Sequence, residues 1–280
     1  MNNKEIKIVA LDLDGTTLDP NSKFTKRTIE AFYNAMEKGV HIVVSTGRTF
    51  KSLPEQLFHI PGLDYVVTSN GAHITKLANM ERIYENIITP EAVRKVVELL
   101  EQHDISAEIF IDGVAFIDKS DYDHIKKHGS GYRDDHYVLS TRRPVEGILD
   151  YLLENKHQVE NISLNFPLIK DKEEFGKKLK QIPGITVTSS FAHNYEIGGE
   201  TTSKAEALRF LMKKLGLNSS QLMACGDSPN DEEMIKLAEI GVVMGNASEE
   251  MKARADYVTD SNAEDGVAKA IEKFVLKESK

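Results

Sequence analysis

In the N-terminal third of the chain, short apolar runs that end in polar clusters alternate with an amphipathic segment. Residues 6–13 are almost wholly apolar, which is typical of a strand buried on both faces of a parallel sheet. Further runs of this kind lie at residues 40–44 and 65–68. Between the first two runs, Thr25 can cap a helix whose apolar positions recur at helical spacing until Gly39. This alternation predicts a doubly wound α/β sheet.

The pattern changes after residue 85, where strand-like and helical segments no longer alternate regularly. An Asp112-Gly113 pair between two apolar runs is a hairpin signal, so an antiparallel sheet is expected here. Residues 119–144 are charged and rich in turn formers, and no firm element is assigned to them. The predicted elements are a helix at residues 90–102, strands at 107–110 and 114–117, a helix at 145–154, a strand at 162–166, a helix at 172–181, and strands at 185–188 and 194–197.

The α/β alternation returns after the Gly198-Gly199 pair. It predicts a helix at residues 203–215, a strand at 222–225, a helix at 231–239, a strand at 240–244 and a helix at 266–276. The simplest architecture is a mainly parallel, Rossmann-like sheet interrupted by an inserted α+β domain. We therefore expect one domain from residues 1–85 and 194–280 and a second from residues 86–193.

Composition agrees with a globular protein of about two domains, at roughly 150 residues per domain. The 280 residues include 35 Lys and Arg against 44 Asp and Glu, a formal net charge of −9, which argues against nucleic acid or an anionic membrane as partner. A single cysteine excludes an internal disulfide. No signal-peptide pattern and no apolar stretch long enough to span a bilayer is seen, so a cytoplasmic location is expected.

Polar residues that can do chemistry follow the ends of the predicted strands, where ligands bind in doubly wound sheets. Asp12 and Asp14 lie two residues apart, a spacing expected to bring both side chains close together on one side. Taken alone, Asp-x-Asp-Gly fits a simple strand-to-turn ending equally well, because Asp and Gly are favoured in turns.

A further acidic segment, Gly226-Asp227-Ser228-Pro229-Asn230-Asp231, follows another predicted strand. Carboxylates that converge at one sheet edge repel unless a cation joins them, and Mg²⁺ favours carboxylates, waters and phosphate oxygens. Thr46 and Gly47 can offer a hydroxyl and a backbone N–H to a phosphate, and Lys204 adds a positive charge. Together these residues predict phosphoryl transfer.

These motifs resemble the haloacid dehalogenase-like phosphatase superfamily, and in particular its Cof-type sugar-phosphatase subfamily with a large inserted α/β cap. The residues that carry the resemblance are Asp12-Leu13-Asp14-Gly15-Thr16, Ser45-Thr46-Gly47-Arg48, Ser69-Asn70-Gly71-Ala72, Ser203-Lys204, residues 226–231, residues 243–247 and residues 255–259. The central residues match in architecture alone. Where the subfamily usually has Gly-Val-Ser-Lys-Gly, this chain has Thr201-Thr202-Ser203-Lys204-Ala205, so the loop before Lys204 is expected to be stiffer or differently shaped.

The resemblance implies a role for each core residue. Asp12 would be the nucleophile, and Asp14 the general acid and base. The Mg²⁺ ligands would be Asp12, Asp227 and the backbone carbonyl of Asp14. The phosphate would be held by Leu13, Thr46, Gly47, Lys204 and Asn230, with Asp231 orienting its neighbours. Arg48 and Asn70 are candidates for the substrate side of the site, although support of the phosphate loops is the more frequent role for such residues.

The resulting prediction is a Mg²⁺-dependent phosphatase for small phosphorylated metabolites, with sugar phosphates first. The alternatives are a phosphosugar mutase, a phosphatase of flavin or pyridoxal cofactors, and a non-catalytic sensor of phosphorylated metabolites. A monomer or small homo-oligomer is expected.

Three residue groups are given plainer interpretations. Arg133, Arg142 and Arg143 are interpreted as solvated charges, with contact to an anionic substrate group as the alternative. Cys225 is interpreted as a small buried hydrophobe. His124 and His128 lack an evident third ligand for a metal site.

Overall fold

The computed structural model describes residues 5–277, which form two compact units. The first unit contains residues 5–46, 54–84 and 203–277. The second unit contains Gly47–Leu53 and Glu85–Thr202.

Strands and helices occur in both units. Within residues 5–277 the strands are β1 Ile8–Leu11, β2 His41–Ser45, β3 Tyr65–Thr68, β4 His73–Lys76, β5 Glu81–Glu85, β6 Ser106–Ile111, β7 Val114–Asp118, β8 Arg142–Val145, β9 Val159–Asn165, β10 Ile185–Thr188, β11 Asn194–Gly199, β12 Leu222–Gly226, β13 Ile240–Val243 and β14 Tyr257–Val258. The α-helices of the same range are α1 Lys26–Glu37, α2 Pro90–Leu100, α3 Lys119–His128, α4 Asp135–Thr141, α5 Ile148–Glu154, α6 Ile169–Leu179, α7 Lys204–Leu215, α8 Glu232–Leu237, α9 Glu249–Lys252 and α10 Gly266–Ile271. In the described part of the chain, none of the helices has the length and apolar content that crossing a bilayer requires.

The sheet of the first unit has eight strands in the order β14-β13-β12-β1-β2-β3-β4-β5. The six strands from β14 to β3 are parallel, whereas β4 is antiparallel to β3. Val9 in β1 lies beside Met223 and Ile42, so the first strand is central, and its side chains are buried on both faces. The predicted doubly wound α/β fold is confirmed.

Parallel register brings the residues after several strands to one edge of this sheet. Leu11 is paired with both Val44 and Cys225, so the segments that follow β1, β2 and β12 leave the sheet side by side. Two predicted helix starts are also observed. Thr25 accepts a hydrogen bond from the N–H of Thr28 at the start of α1. The same type of cap, formed by Ser203, starts α7 and places Lys204 in its first turn.

The sheet of the second unit has six strands in the order β10-β11-β9-β6-β7-β8. The observed pairs are antiparallel except for the parallel pair β7 and β8. Asp112 and Gly113 have φ values of 47° and 74° and form the two-residue turn between β6 and β7, as the sequence predicts. One face of this sheet packs its apolar residues against α2, α5 and α6, which contribute Val93, Leu152 and Phe175.

The structure corrects three expectations. The stretch at residues 119–144 contains α3, α4 and most of β8, with Asp118 and Asp134 as side-chain caps of the two helices. These helices are mostly polar and bury few side chains, so their apolar periodicity is weak. Strand β11 belongs to the second sheet, so the second junction lies at Thr202 and Ser203 rather than at residues 193 and 194. The segment Gly47–Leu53 groups with the second unit, where the N–H of Lys51 donates to the carbonyl of Gly113 at 2.8 Å.

Candidate active site

A buried lysine joins two carboxylates at the edge of the first sheet. Lys204 Nζ donates to Asp12 Oδ1 at 2.6 Å and to Asp231 Oδ1 at 2.7 Å. The Lys204 side chain has no exposed surface, and Asp12 is 6% exposed. An unpaired ammonium group buried away from solvent is very unfavourable, so the two carboxylates hold Lys204 in position. Lys204 in turn holds the carboxylates of Asp12 and Asp231 in position.

Asp231 has both carboxylate oxygens engaged. Its Oδ2 accepts hydrogen bonds from the backbone N–H of Asp227 at 3.0 Å and of Ser228 at 3.1 Å, while Oδ1 accepts from Lys204. A Cβ at Gly226 would lie 2.4 Å from Asp231 Cβ, so only glycine fits beside this carboxylate. Asp231 therefore fixes the backbone of the loop that carries Asp227.

Asp227 lies beside the turn that follows β1. Thr16 Oγ1 donates to Asp227 Oδ1 at 2.7 Å, and Ser228 Oγ donates to Oδ2 at 3.0 Å. Gly15 has a φ of 74°, and a Cβ there would lie 2.6 Å from Asp227 Oδ2. The Asp-Gly sequence after the strand is thus required both by the backbone conformation and by the close approach of Asp227.

Negative charge exceeds positive charge at this edge. Burial raises the pKa of Asp12 well above its ordinary range, and the carboxylates of Asp231, Asp227 and Asp14 add to the rise, whereas Lys204 opposes it. Burial and the Asp231 charge raise the pKa of Asp227 to about 6. Burial lowers the pKa of Lys204, but the charges and hydrogen bonds of Asp12 and Asp231 outweigh it and raise the pKa, so the lysine stays protonated.

The donor set fits a hard divalent cation. Asp12, Asp227 and Asp231 can each offer an oxygen, and these oxygens lie within 4.8 Å of one another. Carboxylate oxygens are the ligands that Mg²⁺ prefers. Asp231 is fully buried and accepts three hydrogen bonds, whereas Asp227 is partly exposed, so Asp12 and Asp227 are the better candidates for direct ligands.

Asp14 differs from Asp12 in exposure. Its side chain is exposed, although its charge is close enough to raise the pKa of Asp12. Strand β1 ends at Leu11, and a tight turn begins at Leu13. The alternation of side chains along a strand therefore does not set the relation of Asp12 to Asp14, and the turn does.

The other predicted phosphate-binding residues lie on neighbouring loops. Thr46 is buried at the end of β2, and its N–H donates to the carbonyl of Val67 at 2.9 Å. Asn230 Nδ2 donates to Asn70 Oδ1 at 3.0 Å, so the structure brings these two predicted residues together. Gly47 follows Thr46 directly in the chain but groups with the second unit.

Arg48 also lies in the second unit, where its guanidinium carbon is 4.6 Å from the ring centroid of Tyr137. The guanidinium carbon of Arg142 lies 4.7 Å from the same centroid. Arg133 and Arg142 both donate to the fully buried Glu108, at 2.5 and 2.8 Å. The interpretation of Arg133 and Arg142 as solvated charges is therefore wrong, because a buried carboxylate holds both of them, whereas Arg143 is exposed.

Two contributors at the site had no role assigned from the sequence. Thr16 binds Asp227, and Asn246 Nδ2 donates to the carbonyl of Gly15 at 2.8 Å. Both residues lie in segments that carry the family resemblance, and this resemblance was the sequence signal that could have identified them. Cys225 is fully buried at the end of β12, and burial raises its thiol pKa, so its interpretation as a small hydrophobe agrees with the structure.

The fold and this cluster together define a class of enzyme. The family model of the haloacid dehalogenase-like hydrolases matches residues 9–271, and the chain belongs to that family. It is a phosphatase of this family, a phosphoric monoester hydrolase.

Three similar proteins illustrate the range of named activities. A 5-amino-6-(5-phospho-D-ribitylamino)uracil phosphatase, YcsE of Bacillus subtilis, is 30% identical over 97% of each chain. A pyridoxal phosphate phosphatase, YbhA of Escherichia coli, is 27% identical over 95% of this chain and 97% of its own. The solved structure of the subclass IIB sugar phosphatase BT4131 has a TM-score of 0.82 and 25% identity, covering 96% of this chain and 98% of that one.

Proposed function

We propose that this protein is a Mg²⁺-dependent phosphatase of small phosphorylated metabolites, sugar phosphates first among them, and that it works through a phosphorylated Asp12. The observation that carries the proposal is the buried cluster in which Lys204 contacts Asp12 at 2.6 Å beside Asp227. Lys204 holds the Asp12 carboxylate in position and neutralises part of its charge. The neighbouring carboxylates leave a net negative charge around Asp12, which a cation can balance. Phosphoryl transfer depends mainly on positioning and charge neutralisation, which such a cluster supplies.

The proposed reaction has two half-reactions that share Asp14. An oxygen of Asp12 attacks phosphorus, the bond to the ester oxygen breaks, and protonated Asp14 gives its proton to the departing alkoxide. Asp14, now ionised, takes a proton from a water that attacks the phosphoryl group, which releases inorganic phosphate and restores the Asp12 carboxylate. The exposure of Asp14 suits this role because its proton must meet substrate and water.

Charge on the transferred phosphoryl group would be balanced by residues already in place. Lys204, the Thr46 hydroxyl, the Asn230 amide, and the backbone N–H groups of Leu13 and Gly47 would bind its oxygens. Asp12, Asp227 and the Asp14 carbonyl would hold Mg²⁺. When bound, Mg²⁺ supplies Lewis-acid stabilisation of the phosphoryl oxygens.

The substrate class is the finer part of the proposal. The sugar phosphatase among the similar structures, and the D-ribityl phosphate named for the Bacillus subtilis relative, support a phosphate carried on a sugar or polyol chain. The pyridoxal phosphate phosphatase supports cofactor esters as the second candidate. We further propose that the second unit is the substrate-specificity domain. We also propose that the protein is cytoplasmic and is a monomer or a small homo-oligomer.

Phosphate release from a panel of sugar, polyol, flavin and pyridoxal monophosphates, with MgCl₂ or with EDTA, tests this function. Wild type should release phosphate in MgCl₂ but not in EDTA. The kcat of Asp12→Asn should be at least about a thousandfold lower than that of wild type, because the proposed nucleophile is gone. Asp64→Asn, which changes a half-exposed carboxylate of the same unit, should behave as wild type. An isomerised sugar phosphate in place of inorganic phosphate would indicate a mutase, and tight binding without turnover a sensor.

A further inference from the structure

Three consecutive residues after β3 have left-handed backbone conformations. The φ values of Ser69, Asn70 and Gly71 are 50°, 56° and 98°. Ser69 and Asn70 are both buried, and positive φ is uncommon in residues other than glycine. A conformation of this kind persists when the surrounding structure fixes it, and it occurs often at functional sites.

Asn70 fixes the backbone of Thr46. The N–H of Asn70 donates to the carbonyl of Thr46 at 3.1 Å, while the N–H of Thr46 donates to Val67. Both backbone groups of Thr46 are therefore paired with the segment that runs from β3 into the left-handed loop. This pairing fixes the backbone from which the Thr46 side chain extends.

The side chain of Asn70 holds a second predicted phosphate-binding residue. Its Oδ1 accepts a hydrogen bond from Asn230 Nδ2 at 3.0 Å, across 160 residues of chain. Asn230 Oδ1 is buried and has no hydrogen-bond partner, so the bond to Asn70 is what orients this amide.

Gly71 packs against the turn that presents Lys204. A Cβ on Gly71 would lie 2.1 Å from the carbonyl oxygen of Ser203 and 3.0 Å from the backbone nitrogen of Lys204. Only glycine permits this approach. The loop of Ser69, Asn70 and Gly71 thus touches all three segments that carry the predicted phosphate-binding side chains.

We propose that Asn70 is a positioning residue, which sets the Asn230 amide and the Thr46 backbone in the geometry that binds the transferred phosphoryl group. This inference rests on the proposed phosphatase function. It assigns Asn70 an action through Asn230 rather than contact with the substrate, and so decides between the two roles that the sequence leaves open.

A double-mutant cycle with Asn230 tests the inference. Glycine accepts φ of 56° without strain, so Asn70→Gly keeps the loop backbone and removes only the amide. With p-nitrophenyl phosphate as substrate, Asn70→Gly should lower kcat/KM about tenfold in wild type, and less than about twofold when Asn230 is already alanine. Inhibition by orthovanadate should weaken by a similar factor and show the same dependence on Asn230.

Two further variants give the controls. Met80→Gly changes another left-handed, non-glycine residue of the same unit, and one that is 59% exposed, so its kcat/KM should equal that of wild type. Asn70→Asp keeps both the left-handed backbone and an oxygen acceptor for Asn230. In that background Asn230→Ala should again lower kcat/KM about tenfold, which restores the dependence that Asn70→Gly removes.

Equal losses from Asn70→Gly with Asn230 present or absent would overturn the inference, because a merely structural role predicts equal losses. Wild-type activity in Asn70→Gly would overturn it as well. If wild type hydrolyses no phosphate ester at all, the proposed function fails instead, and orthovanadate binding measured by calorimetry still decides whether Asn70 and Asn230 act together. Should Asn70→Gly not fold, Asn70→Ala supplies the cycle, because it also removes the amide and any strain from its Cβ is present in both Asn230 backgrounds.

Discussion

Each unit buries a cluster of three charges, and the two clusters have opposite composition. In the first unit, one lysine lies between the carboxylates of Asp12 and Asp231. In the second unit, the single carboxylate of Glu108 lies between Arg133 and Arg142. The central group of each cluster is almost entirely removed from solvent.

The two clusters shift carboxylate pKa values in opposite directions. Asp12 has one cation and three neighbouring carboxylates, and its pKa is raised well above the ordinary range by burial and by those charges. Glu108 is equally buried, but the charges of Arg142 and Arg133 outweigh burial and lower its pKa. Burial alone therefore does not set the direction of a carboxylate's pKa shift. The balance of positive and negative charges around the carboxylate decides that direction.

The difference in net charge suggests different roles for the two clusters, a reactive site in the first unit and a structural ion pair in the second. The first cluster is short of positive charge, which suits a site that takes up a cation and a phosphate during turnover. The second cluster has an excess of positive charge. The Arg142 guanidinium also makes cation–π contacts, with its central carbon 5.8 Å from the ring centroid of Phe110 and 4.7 Å from that of Tyr137. We interpret it as a fixed part of the second unit's structure.

Removing the central carboxylate of the second cluster should have the largest effect on stability. Glu108→Gln leaves two buried guanidiniums without an anion, and should cost about 3–5 kcal/mol at neutral pH. Asp12→Asn, in contrast, removes a carboxylate from an excess of carboxylates, and should change stability by less than about 1 kcal/mol. Calorimetric unfolding, with hydrogen exchange of peptides from β6 and β9, measures both.

Glu91→Gln is the matched control, because this glutamate of the second unit has a side chain that is 77% exposed. It should unfold as wild type does. A loss in Asp12→Asn as large as that in Glu108→Gln would show that the two clusters are equivalent, and would contradict the comparison.

Divalent metal should stabilise the first unit by a smaller amount. At a hundred times its dissociation constant, a cation that binds the folded state alone adds about 2.7 kcal/mol. MgCl₂ should therefore raise the unfolding temperature of wild type and of Glu108→Gln. It should raise the unfolding temperature of Asp227→Asn much less, since replacing the carboxylate by an amide removes one of the negative charges that bind the cation. A rise in Asp227→Asn equal to that of wild type would place the metal elsewhere.

Acid should weaken the second unit by the smallest of the three effects. Because the folded-state pKa of Glu108 lies below its ordinary value of 4.5, the ionised carboxylate stabilises the fold fully above that pH. The stabilisation is lost as pH falls through the lower, folded-state pKa, since the unfolded chain binds the proton first. Exchange protection of β6 and β9 should fall over this window in wild type, and the fall should be shallower in Glu108→Gln.

The sequence predicted the first unit's sheet because its signals are local. Buried parallel strands are continuous apolar runs, and Thr25 and Ser203 stand where the observed caps are. Strands β4, β5 and β14 were missed. Strand β5, at one edge of the sheet, is mostly exposed and carries no apolar run. At the site, the family motifs indicated which residues to examine, while their roles stay proposals.

The second cluster could not have been predicted in the same way. Glu108 is 25 residues from Arg133 and 34 from Arg142, and no spacing rule links them. Their pairing depends on β8 and on helix α4, in a stretch too polar to show helical periodicity. Likewise, the pairing of Asn70 with Asn230 is decided by tertiary packing.

The placement of β1 between β2 and β12 has a consequence for biosynthesis. Asp12 emerges early from the ribosome, yet its lysine partner follows 192 residues later. The strands β6 to β11 can therefore complete the sheet of the second unit before β12 is made, while the first five strands of the first unit's sheet, β1 to β5, still lack it. Contacts so distant in sequence form slowly, and unpaired strand edges invite aggregation in the meantime. Asp12 therefore gains its buried lysine partner only when the last segment of the first unit, which begins at Ser203, has been made.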